Sequence, residues 1–133
     1  MDARPKLESF EDLSVWHKSH QLVLTIYRMT NEFPREEKFG LVAQMRRAAV
    51  SIPANIAEGF KKRGLRDKIN FYNIAQGSLE ELRYYVILAH DLGFVKETAA
   101  LRADALEIGR MLHGLIRSIE AAKSDDNREK EKK

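Results

Sequence analysis

The 133-residue sequence contains no cysteine. That absence excludes a disulfide framework and any thiolate metal site, and it fits a reducing cytosol. Proline is scarce, with residues only at positions 5, 34 and 53. No apolar run approaches the ~18–20 residues that span a bilayer. The first residues, Met1 to Glu8, lack the apolar core expected of a signal peptide. There is no defensible internal repeat. What is present fits one soluble domain with a real core, expected in the cytoplasm: 44% hydrophobic and 32% charged residues. The formal net charge is +3.

Gly40, Gly59, Gly64 and Gly93 mark expected boundaries, and between them apolar residues recur at three and four, not two. The periodicity predicts helices throughout. Helix 1 is expected from about Asp12 to Glu32, with Asp12 or Ser14 as its cap. One stripe is Val15, Ser19, Leu22, Ile26, Met29 and Phe33. A second is Leu13, Trp16, His20, Val23 and Tyr27. Together they span roughly 200° of arc, wider than a surface helix needs. The excess points to a second buried side, supplied by another subunit. Phe33-Pro34 ends this helix.

Helix 2 is expected from about Glu36 to Ala57, with Leu41, Met45, Ala48 and Ile52 inward and Gly59 as C-terminal cap. Pro53 predicts a kink, with Asn55 bonding a freed backbone group and Glu58 pairing with an arginine. Helix 3 is expected from about Arg66 to Leu92, with Tyr72, Ala75, Leu79, Leu82, Val86 and Ala89 inward. Helix 4 is expected from about Glu97 to Lys123, with Leu101, Ala105, Ile108, Leu112, Leu115 and Ile119 inward. Short joints make neighbours antiparallel. The fold expected is all-α, an antiparallel up-down-up-down four-helix bundle over 11–123. An N-terminal extension (1–10) and a disordered charged tail (124–133) flank it.

Catalytic patterns are missing. Di-iron bundles need Glu three residues before His. Here Ser14, His17, Ile87 and Arg110 hold those places. His17 and His20 are three apart but have no companion ligands, and His20 reads as a core or interface histidine. There is no nucleophile with a partner base and no phosphate-binding glycine loop. The expectation is a non-enzymatic protein with no cofactor and no metal.

The charge is uneven. From Arg46 to Lys68 seven basic residues face two acids, +5 in a chain of +3. Arg46, Arg47, Lys61, Lys62, Arg63 and Arg66 form the candidate nucleic-acid site, since clustered cations bind phosphates by releasing counterions. Phe60, Phe71 and Tyr72 are candidates for base stacking. The competing readings are an ordinary basic loop, arginines paired with carboxylates at an interface, and a scaffold that docks a protein.

Residues 44–59, Q-M-R-R-A-A-V-S-I-P-A-N-I-A-E-G, resemble the signature of the bacterial four-helix-bundle family encoded by intervening sequences in the large-subunit ribosomal RNA gene. Phe10 to Trp16, Phe33-Pro34 with Phe39 to Gln44, and Ala75 to Leu82 carry the resemblance over about residues 10–120. It implies an up-down bundle that assembles into a ring, a homopentamer. It also implies kinship with the accessory protein of diversity-generating retroelements, a basic pentameric barrel that binds nucleic acid and the reverse transcriptase. The combined expectation is an oligomeric RNA- or DNA-binding protein. The alternative is a scaffold docking a partner such as a reverse transcriptase.

Overall fold

The computed structural model describes residues 7–132, with side chains to Arg128. Most of the expected N-terminal extension, residues 1–6, therefore lies outside the described residues. The described chain is all-helical: α1 (Ser14–Thr30), α2 (Leu41–Lys61), α3 (Leu65–Asp91) and α4 (Ala99–Lys132), with 3₁₀ turns at Phe10–Asp12 and Arg35–Glu37 and no strand. None of these helices is long and apolar enough to cross a membrane. Each helix packs on its sequence neighbours, and α1 closes against α4. Phe33 and Phe94 meet at 5.5 Å, so the α1–α2 and α3–α4 connections share one end.

The core follows the expected stripes. All six inward positions on α3 are buried, as are Leu41, Met45, Ala48 and Ile52 on α2. On α4 the stripe slips. Leu112 is buried, but Ile116 takes the next core place, and Leu115 and Ile119 are only half-buried. A strict 3.5-residue repeat drifts by ~20° per heptad against a straight 3.6-residue helix, and the core follows the helix.

Helix ends differ for local reasons. The Asp12 carboxylate does not cap α1. It accepts from the backbone N–H groups of Glu8 and Ser9 (3.0 and 3.1 Å) and caps the first 3₁₀ turn. Those two bonds hold its carboxyl below the usual range. Gly40 leaves helical space (φ −103°, ψ −109°), which delays α2 to Leu41, and Glu37 caps it through the Leu41 N–H. Gly93, at φ +81°, ends α3 as expected, with Phe94 N–H returning to the Ala89 carbonyl. Helix α4 continues past Lys123 through residues assigned to the charged tail, where no proline or glycine interrupts it. Ser124 to Arg128 are exposed.

Much of the second stripe on α1 is covered within the chain. Trp16 packs edge-on against Phe10 at 5.0 Å and stacks on His20 at 5.2 Å. Val23 is buried, and the Arg46 guanidinium lies 4.5 Å over the Tyr27 ring. Contacts within the chain thus account for most of the wide arc on α1, while Tyr27 stays 40% exposed.

Candidate nucleic-acid interface

Residues Lys61 to Leu65 turn the chain from α2 into α3. Lys61, Arg63 and Arg66 are exposed, and Lys62 is half-buried with its ammonium 5.0 Å from the Phe71 ring centre. None of these four forms an ion pair with a carboxylate among the described residues. Gly64 offers no side chain to cap α3, and Asp67 in the first turn is the acid that faces the positive end of that helix dipole. Arg66 also lines a shallow depression on α3 with Asp67, Asn70 and Asn73.

Lys68 supports the turn from beneath. Its ammonium donates to the carbonyls of Phe60 (2.6 Å) and Gly59 (3.2 Å) and lies 5.4 Å from the Phe60 ring centre. A cation there neutralises the negative end of α2. Partial burial lowers its pKa from the ordinary 10.5. In the sequence Lys68 stands only as one charge of the basic segment, and nothing there points to this clamp beyond a lysine one turn inside a helix that follows a tight turn.

Gly59 is not a cap, because α2 runs on to Lys61. A Cβ at Gly59 would lie 2.7 Å from the Tyr72 ring and 3.1 Å from Phe71 Cβ. Glycine here lets α2 and α3 touch. Tyr72 is 2% exposed, which removes it as a stacking platform. Phe60 and Phe71 are half-buried beneath Lys68 and Lys62.

The two arginines of α2 lie elsewhere. Arg46 donates to Thr30 Oγ1 (3.0 Å), Asn31 Oδ1 (2.9 Å) and the Tyr27 carbonyl (3.3 Å), gripping the C-terminus of α1. Arg47 is exposed and donates to Gln44 Oε1 at 2.7 Å. Asn55 donates to the carbonyl and hydroxyl of Ser51 (2.8 and 2.9 Å) rather than to the Ala49 carbonyl, to which Pro53 has no N–H to offer. Glu58 is exposed and makes no ion pair among the described residues. His17 and His20 both pack on Trp16. No group of three or more His, Asp or Glu among the described residues is placed to hold a metal.

No curated protein matches the chain closely enough to count as a relative. A solved structure from Bacteroides thetaiotaomicron, described as a protein with unknown function from the S23 ribosomal protein family, is 27% identical. The similarity covers 77% of this chain and 95% of that one, with a TM-score of 0.71. Residues 11–114, which include the whole basic turn, match the model of the 23S rRNA-intervening sequence proteins. A match over this much of the sequence is decisive: the chain belongs to the 23S rRNA-intervening sequence protein family.

Proposed function

We propose that the protein is a non-enzymatic, oligomeric, cytoplasmic RNA-binding protein that grips phosphates with the turn between α2 and α3. One observation carries this reading. Lys61, Lys62, Arg63 and Arg66 crowd the start of α3, four cations against the one carboxylate of Asp67, and none of the four forms an ion pair among the described residues. Arg47 stands apart from this turn, earlier on α2, and Arg46 holds the end of α1. The family's association with ribosomal RNA genes makes RNA the first ligand to test. Affinity for structured RNA falls steeply with salt, because each phosphate contact releases counterions. Changing Lys61, Lys62 and Arg63 together to alanine lowers affinity and flattens that salt dependence without loss of helical signal. Equal affinity of wild type and triple variant removes the turn from the binding surface.

A second reading has the molecule dock a protein such as a reverse transcriptase, in keeping with kinship to retroelement accessory proteins. Phe39 favours it: a phenylalanine 88% exposed beside Gly40 is a ready apolar contact. A specific complex that survives nuclease treatment and is lost with Phe39→Ser supports this reading.

The architecture behind both readings is an antiparallel up-down bundle with a bend in α2 at Pro53. Two pairings support the direction of α2 and α3: Gly59 meets Tyr72 while Ser51 bonds Ser78 at 2.7 Å, so numbers fall on one helix as they rise on the other. We also infer a homopentameric ring. Its support within the chain is apolar surface on the outer faces of α2 and α3, at Val50, Ile74 and Tyr84.

A further inference from the structure

A groove runs between α3 and α4, on residues apart from the basic turn. Its deepest part is a cleft of about 150 Å³ floored by Val86 and Ala105, with Ile87 and Leu106 as exposed lips. Arg83 and Arg102 line its walls. The groove continues past Gly109 to Arg110. A Cβ at Gly109 would meet only Leu79, at an ordinary 3.5 Å, so packing within the chain does not demand glycine. What the glycine does is keep the groove open. The acid lining the groove, Glu80, is already bonded to Arg83 at 2.8 Å, and Arg102 and Arg110 have no carboxylate partner among the described residues.

We infer that this groove is a docking site for an acidic amphipathic helix of a partner protein. The cleft has the volume that takes one aromatic ring or a leucine-sized anchor. From Gln76 to Ile87 the groove follows α3 for about 16 Å, three turns of a helix. A docked helix of that length presents apolar anchors at i, i+4 and i+7 to the floor and carboxylates to the arginine walls. RNA fits poorly here, because a phosphate chain would desolvate against an apolar floor that cannot satisfy it.

The test uses the full chain and a fluorescein-labelled synthetic helix with leucines at i, i+4 and i+7 and glutamates flanking them. Two control peptides replace the leucines by serine or the glutamates by lysine. Polarisation is expected to show saturable binding of the acidic peptide alone. Arg102→Glu with Arg110→Glu weakens it at least about tenfold and gains affinity for the lysine peptide. That swap of preference also proves the variant folded. Equal binding of acidic and basic peptides, no binding of either, or no swap overturns the inference. So does a fall in oligomeric mass, with peptide affinity unchanged, on Ile87→Ser and Leu106→Ser, which makes the groove a contact between copies of this chain.

Discussion

At Gly59 a hydrogen is the largest side chain that fits. Alanine there gains ~1 kcal/mol of helix propensity. It also drives a Cβ to 2.7 Å from the buried Tyr72 ring, and overpacking of that kind costs ~1–3 kcal/mol. Gly59→Ala is expected to lower the urea midpoint. Gly77 is the control: nothing lies within 4 Å of its Cβ position, so Gly77→Ala raises stability by ~0.5–1 kcal/mol. A midpoint that rises in both would show that α2 and α3 do not meet closely. The sequence suggested a cap at Gly59 because glycine commonly follows a helix. Close approach depends on which residues face it from another helix, and one-dimensional spacing does not hold that information. Tyr72 yields a second prediction. Burial raises its pKa above the ordinary 10.0, so the folded chain keeps a proton that the unfolded chain loses near pH 10.0. Its contribution is full below pH 10.0 and disappears as pH rises through the folded pKa. Tyr72→Phe keeps the ring and is expected to flatten that alkaline decline in denaturation midpoints.

Among the elements, the corner of α2 and α3 is where fold and candidate site meet. Both long helices were legible, since every buried position on α3 recurs in steps of three and four. The clamp was not, because an ammonium reaching the preceding helix's carbonyls leaves no periodic trace. Lys68→Met retains much of the stem's packing and removes two charge-assisted bonds, a kind worth ~1.5–3 kcal/mol net each and less where solvent screens the ammonium, as it partly does here. The end of α2 then frays, and amide hydrogen exchange over residues 60–64 is expected to speed up while the α1 amides stay protected. Unchanged exchange at the corner would show that Lys68 does not hold it. Helix α4 gives the opposite lesson. Its last buried residue is Ile116, and beyond Lys123 its described side chains are exposed. Truncation after Lys123 is expected to leave the urea midpoint nearly unchanged, because helix without a packed face adds little stability.

For the whole molecule, the proposed ring would link charge to assembly. A single turn of four cations is a weak, salt-sensitive site, and a closed ring repeats it around one axis so that modest sites add. The apolar surface proposed for the ring contact is centred on α3, where Tyr84 is 57% exposed and Ile74 is also exposed, and includes Val50 of α2. Five copies of a 15.3 kDa chain weigh about 76 kDa, the mass expected from light scattering at micromolar concentration. Ile74→Glu with Tyr84→Glu places like charges from each subunit at the contact and is expected to reduce the mass to that of one chain. RNA affinity should then fall by at least about tenfold, although every residue of the basic turn is intact, because rebinding at a second site in the same ring is lost. A protein that weighs 15.3 kDa before any substitution ends the ring proposal. A variant that dissociates yet keeps full RNA affinity separates assembly from binding and leaves the single turn as the whole site.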